Sequence, residues 1–322
     1  MSLRRNHARR AFSILLLTAL TTGCSLKKYA INKIGDALAE GNSVYETDED
    51  VTLVGEALPF GLKFTESLLQ ESPKHRGLLL TVTRGFVLYS YAYVDYEAEV
   101  AADEDLDRAR ALRLRARKLY LRAFGYGVRG LERSHPGFAS LLASDPAAAA
   151  RLISNKKKKH QDLPLLYWTA AALGLSISVS RNDAAMLARL PEVEVLLDRA
   201  LELDSDWDEG TLHEFKVVFA GAKPGRPDYA AIRRDYETAL ALSQGKRAGL
   251  YLAYAETVAV PRQDSKEFRA LIKKALAVDP DENIEVRLVN LLAHRRARWL
   301  LERVDDLILD SGEFDSEKEE TP

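Results

Sequence analysis

One thiol, six imidazoles and a large set of carboxylates are the groups in this chain able to act on a substrate, and their spacing argues against catalysis. The histidines are His7, His75, His135, His160, His213 and His294. No two stand at helical ligand spacing, and no HExxH occurs, so no metal site is assigned. Serine is present without the GxSxG turn that would expose it as a nucleophile. The adjacent Asp305 and Asp306 read as solvated on a terminal helix. Carboxylates distant in sequence can still converge, which keeps a hydrolase as the enzymatic alternative. Gly125-Tyr126-Gly127-Val128-Arg129-Gly130 matches GxGxxG, but a dinucleotide site needs that turn after a strand. An Arg-rich helical run precedes it here, so close helix packing is the better reading. No catalytic residue and no cofactor is assigned.

Cys24 is the sole cysteine, which excludes a disulfide framework and a cysteine-based zinc site. Its chemistry is set by what precedes it. Arg4, Arg5, Arg9 and Arg10 form a basic leader, and Ala11–Leu20 is an apolar run too short to span a bilayer. Thr21, Thr22 and Gly23 then give small residues directly before the cysteine, as in a bacterial lipobox. Thr21 stands where such boxes usually carry Leu. Acylation of Cys24 is therefore expected, against a plain secretory signal with a chance cysteine. Ser25 follows, which favours the outer membrane in sorting of the enterobacterial type. The expected divisions are a signal peptide (1–23), a lipid anchor and tether (24–50), a helical domain (51–310) and an acidic, disordered tail (311–322). The expected location is the periplasm, held to a membrane by N-terminal lipid.

The rest of the chain must supply the framework. It has 322 residues, 47% hydrophobic and 29% charged, with a net charge of −2. That is an ordinary globular balance and gives no case for nucleic acid. No long stretch alternates with period two, so no sheet is expected. Helices are expected over Val51–Glu71, Leu78–Val100, Glu104–Glu132, Leu163–Val179, Pro191–Leu203, Asp208–Ala220, Asp228–Leu242, Arg247–Val260, Ser265–Val278 and Glu282–Leu309, with one or two short ones over Phe138–Leu152. LDRALELDSD, YETALALSQG and IKKALAVDPD repeat one pattern, their alanines Ala200, Ala239 and Ala275 standing 39 and 36 residues apart. Two-helix repeats near this length mark tetratricopeptide (TPR) arrays, whose units bury their apolar stripes only by stacking. Val193, Ile232 and Phe268 are bulkier than that pattern prefers. The fold class expected is all-α, a TPR-like right-handed array of antiparallel helix pairs with irregular spacing.

Two kinds of surface stand out. Phe86, Tyr89, Tyr93 and Tyr96 fall on one helical face, with Tyr91 off it. Either they are core, or Tyr89, Tyr93 and Tyr96 join Tyr167 and Trp168 as the wall of an apolar ligand pocket. The small residues Ala170, Ala171, Ala172 and Gly174 would leave space opposite the rings. Arg108, Arg115 and Lys118 belong to a basic helix that is either solvated or faces an acidic partner. Lys156, Lys157, Lys158 and Lys159 carry the same two readings, plus contact with anionic headgroups.

EALPFGLK (Glu56–Lys63), LPLLYWTAAA (Leu163–Ala172), ALSQGKRAGLYLAYAE (Ala241–Glu256), VPRQD (Val260–Asp264) and LVNLLAHRRARWLL (Leu288–Leu301) resemble the TPR-type lipoproteins associated with TRAP (tripartite ATP-independent periplasmic) transporters, the T components. That resemblance implies a helical periplasmic lipoprotein, not an enzyme, that pairs with the solute-binding component and helps capture or pass on a ligand, with a hydrophobic one among the candidates. It carries Cys24 over as the lipidated residue. An apolar small molecule and a second copy of the chain complete the expected partners. The non-enzymatic rival is a TPR lipoprotein that scaffolds envelope assembly.

Overall fold

A computed structural model describes residues 27–39, 44–154 and 159–309. Cys24, Lys156–Lys158, the leader and the acidic tail lie outside the described residues. Among the described residues every regular element is helical, so the chain is all-α. Helix α1 covers 27–39. It is followed by α2 (Val51–Glu71), α3 (Arg76–Tyr89), a π-helical turn (Ser90–Asp95), α4 (Tyr96–Ala101), α5 (Leu106–Ser134), α6 (Phe138–Ser144), α7 (Pro146–Leu152) and α8 (Lys159–Ser178). Then come α9 (Ala184–Leu187), α10 (Leu190–Leu203), α11 (Trp207–Ala222), α12 (Tyr229–Leu242), α13 (Ala248–Tyr254), a second π turn (Ala255–Ala259), α14 (Ser265–Leu276), α15 (Arg287–Glu302) and α16 (Val304–Leu307).

Local chemistry starts and stops these helices. The Asp50 carboxylate accepts from the backbone N–H of Thr52 and Leu53 and opens α2. Asp105, Asp145, Asp183, Asp228 and Asp264 cap α5, α7, α9, α12 and α14 the same way. Each such cap satisfies donors that the first turn leaves free. The GxGxxG glycines lie inside α5. A Cβ on Gly127 would run into Thr169, and one on Gly130 into Leu165. They let α5 and α8 approach closely, and Gly125 touches nothing of the kind.

Consecutive helices pack in sequence: α2 on α3, α3 on α5, α5 on α8, α8 on α10, α11 on α12, and α13 on α14. The largest apolar cluster of the first half joins Phe138, Leu163, Leu166 and Leu196 between α5, α6, α8 and α10. That of the second half joins Tyr236, Phe268, Ile272 and Ala297. Ala200, Ala239 and Ala275 are all buried, so the repeated alanines mark the tight contacts. The array also turns back on itself. Helix α15 packs on α2, Leu288 N–H donates to the Glu46 carbonyl at 3.0 Å, and Arg303 pairs with Asp103.

Three expected helices are broken. Leu78–Val100 and Arg247–Val260 each contain a π turn, and Glu282–Leu309 divides into a 3-10 turn at Ile284–Val286, α15 and α16.

Candidate functional site

Polar side chains from the two π turns, α4, α8, α11, α15 and the residue before α13 come near one another. Tyr91 comes from the first π turn. It keeps 43% of its accessible surface, yet its hydroxyl is pushed up to about 12, first by burial, with Arg296 opposing and Glu256, Glu99 and Glu214 adding to the rise. Glu256, from the second π turn, accepts two hydrogen bonds from Arg296, at 2.6 and 3.1 Å. The same guanidinium donates to Glu99 of α4 at 2.5 Å. Burial works against the Arg296 charge, but Glu256, Tyr91 and Glu99 outweigh it and hold the group well above its usual value.

The opposite wall repeats the arrangement. Arg247, just before α13, sits 3.5 Å from Glu214 of α11 and donates to the Asp208 carbonyl. Burial raises the Glu214 carboxyl, Arg247 lowers it and Asp208 raises it again, with a net rise. Tyr167 of α8 stands over the same groups. Its hydroxyl is pushed up by burial and by Glu214, and its ring meets Trp168 edge-on at 4.8 Å and Trp207 at 5.4 Å. Asp208 and Glu209 both have left-handed backbone (φ 49° and 53°), followed by Gly210 at 89°. Left-handed conformations strain side chains that carry a Cβ. Hydrogen bonds from Thr211 and Arg247 to the Asp208 carbonyl hold this turn in place.

The sequence-predicted residues divide. Tyr167 and Trp168 stand at the cleft's aromatic wall. Tyr89 packs beside the same apolar cluster as Trp168, stacks on Tyr93 at 5.9 Å, and accepts from Arg115 at 3.2 Å. Tyr93 donates to the Val51 carbonyl at 2.7 Å. The Arg295 guanidinium lies 5.6 Å from the Tyr93 ring and 4.2 Å from the Tyr96 ring and donates to the Ala92 carbonyl. Tyr96 also meets Trp299 edge-on. Tyr93 and Tyr96 thus face α2 and α15, not Tyr167 and Trp168. Arg108 pairs loosely with Glu97 at 3.7 Å beside a surface cleft of about 370 Å³ that includes Trp299 and Glu302. Arg115 and Lys118 are exposed. Of the residues gathered here, Tyr91, Glu99 and Glu214 lie in no singled-out segment, while Arg247, Glu256 and Arg296 lie in segments that carry the family resemblance without having been given a role. The signal that could have found Glu256 is its place as a lone charge in the otherwise apolar run Ala248–Val260; Arg296, one of several basic residues on α15, gave no such signal.

These groups can hold a ligand's polar end against aromatic walls. The acids are tied to guanidinium groups, no thiol or serine joins them, and among the described residues no group of three His, Cys, Asp or Glu side chains could hold a metal.

Beside the cleft, Asp95 gives a pH test. It is buried and accepts from Tyr120 at 3.1 Å. Its carboxyl is raised from 3.8 to about 6, mainly by burial and then by Glu99, with Tyr120 opposing. The unfolded chain therefore ionises first, and the fold loses stability as pH rises from about 4 to about 6, then levels off. A shift of about two pKa units corresponds to roughly 2–3 kcal/mol. Asp95→Asn keeps an acceptor for Tyr120 and removes that loss. Its melting temperature should exceed wild type near pH 7 and match it near pH 4; an equal gain at both would mean that ionisation is not the cause.

A stacked array of helices is an architecture that proteins use to build binding surfaces. The comparison with known families makes that specific. Residues 47–308 match the family described as TRAP transporter T-component, and the chain belongs to that family, whose members are non-enzymatic accessory subunits of the transporter. It is also similar to a protein of Treponema pallidum (strain Nichols) described as uncharacterized, at 28% identity over 319 residues, covering 93% of this chain and 97% of that one.

Proposed function

We propose that this accessory subunit is a periplasmic, lipid-anchored TPR-like protein that binds the transporter's solute-binding component and holds a ligand in its interior cleft. The observation that carries the ligand half is the convergence of polar and aromatic groups from separate helices: the half-exposed Tyr91 near the Arg296–Glu256–Glu99 cluster, and Tyr167 near Glu214 and Arg247. Binding sites of this kind combine aromatic walls with a few placed polar groups. The ligand it fits is amphiphilic, with an apolar body along Tyr167 and Trp168 and a polar end near Tyr91, Arg247 and Arg296. The partner half and the periplasmic, outer-membrane location rest on the family and on the leader before Cys24.

Two measurements test this. Wild-type protein purified from detergent-solubilised membranes should bring down a solute-binding protein, and mass spectrometry should find a small amphiphile with it. Tyr91→Ala, at an exposed position, should lose the amphiphile and keep the protein partner. A wild-type preparation carrying neither would sink the proposal. Separately, Cys24→Ala should leave the melting curve unchanged and release the protein from membranes. Absence of labelled palmitate from the wild-type chain would remove the anchor.

A further inference from the structure

Helix α2 shows an apolar face to solvent. Leu53, Phe60 and Phe64 are exposed, the two rings at 77% and 48%, and they stack on each other with centroids 6.4 Å apart. Of the fifteen large apolar side chains exposed among the described residues, seven fall between positions 29 and 64. The others scatter over the remaining chain. Single exposed apolar residues need no explanation, but a stripe of them on one helix marks a contact surface.

The path of the chain indicates what covers the stripe. Positions 53, 60, 64 and 71 lie on one line of a helix with 3.6 residues per turn. Glu71, the last of these, pairs with Lys27 at 2.8 Å. Lys27 is the third residue after Cys24. Three residues span at most about 10 Å. Phe64 lies roughly 10 Å and Phe60 roughly 16 Å along α2 from Glu71 at 1.5 Å per residue. The middle of α1 is also tied to the body of the fold. The Ser72 hydroxyl donates to the Asn32 side chain at 2.7 Å, and Gly35 lies so close to His75 and Leu78 that a Cβ there would clash. The end of the aromatic stripe therefore lies beside the point where the acylated residue leaves the folded body. Lys27, Lys28, Lys33 and Lys63 are exposed around it; Lys27, Lys33 and Lys63 also meet Glu71, Asp36 and Glu66, and their solvent-facing ammonium groups suit anionic headgroups.

We propose that the α2 face bearing Leu53, Phe60 and Phe64 lies on the phospholipid surface into which acylated Cys24 inserts, giving the protein a second contact that fixes its orientation on the membrane. The proposal rests on the lipidation of Cys24 set out above. Acyl chains alone hold a protein to a bilayer but leave it free to swing. Aromatic side chains at the headgroup boundary, with lysines beside them, add an oriented contact. The opening of the interior cleft would then keep a constant direction relative to the membrane.

Acylation uses the sole thiol, so a new cysteine is a unique labelling site. Ala57→Cys lies on the edge of the stripe and leaves both phenylalanines in place; Lys274→Cys on α14 is the distant control. The lipidated proteins, labelled with an environment-sensitive dye, are mixed with phosphatidylethanolamine–phosphatidylglycerol vesicles containing nitroxide lipid. The dye at 57 should shift to the blue and be quenched, and the dye at 274 should do neither. Adding Phe60→Ser and Phe64→Ser should abolish quenching at 57 while the protein stays on the vesicles and melts as before. Three outcomes overturn the proposal. Palmitate incorporation with an unquenched dye at 57 leaves the anchor and removes the seat. Shielding of the dye without vesicles, growing with protein concentration, assigns the face to a second copy. Failure to incorporate palmitate removes the anchor and the seat together.

Discussion

Replacing Ala239 with arginine should destabilise the protein by more than about 3 kcal/mol, the range expected for an unpaired charge forced into a core. Ala239 is 2% exposed. A Cβ built on Gly210 would lie 3.0 Å from the Ala239 Cα and 3.3 Å from its carbonyl oxygen. Helices α11 and α12 therefore meet backbone to backbone at this point, and no rotamer of a long side chain fits between them. The guanidinium would also find itself among Ile232, Tyr236 and Phe268. Urea unfolding gives the measurement, with Gly210→Ala as a graded companion. That change adds one methyl at a left-handed position (φ 89°) and should cost about 1–2 kcal/mol. Both losses should appear as earlier midpoints with similar slopes. An unchanged midpoint for Ala239→Arg would place that residue on the surface and invalidate the repeat phase.

The repeat phase was legible because it depends on local pattern. Ala200, Ala239 and Ala275 each sit one turn from a polar stop, and all three are buried. Pro73 after α2, Pro146 at the first turn of α7 and the Asp264 cap of α14 are local in the same way: each acts on its own turn. The interior cleft was not legible, and the reason is geometric. The aromatic face counted from Phe86 holds through the first π turn: Tyr89 stacks on Tyr93, Arg295 lies over both Tyr93 and Tyr96, and Tyr91 stays off that face. What the count cannot supply is the partner of each face: Tyr93 and Tyr96 meet α2 and α15, while Tyr91 comes near Arg296, Glu256 and Glu99, which lie far from it in sequence or on another turn. Nor does sequence reveal that α15 returns to α2 and α4, because Arg296 and Glu99 lie 197 residues apart. A stack of local pairs gives no sign of whether its ends meet.

That return contact is the second place where one substitution should have a large effect. Arg296 ties α15 to Glu99 on α4 and to Glu256 on the second π turn, and it joins the two ends of the array through one guanidinium. Arg296→Met keeps the length of the side chain and much of its contact with Trp299, but leaves two carboxylates facing each other beside Tyr91. Breaking a buried pair by removing one partner costs about 3–5 kcal/mol, and exposed pairs are worth about 1 kcal/mol or less. Arg296 is well buried, while Glu99 and Glu256 keep about a third of their side-chain surface in water. A loss of about 2–3 kcal/mol is therefore expected, between those limits. Its distribution is the sharper test. Amide hydrogen exchange should speed up in Tyr96–Ala101 and in α15, and stay near wild type in α5 and α8, whose packing does not involve Arg296. Glu256→Gln on the Arg296→Met background should restore part of the loss, because one of the two stranded charges is then gone. Uniform acceleration across the chain would show that Arg296 supports global folding, not closure. Slow exchange in α15 despite the substitution would assign closure to Arg295, stacked on Tyr93 and Tyr96, and to the Arg303–Asp103 pair at the far end of the helix.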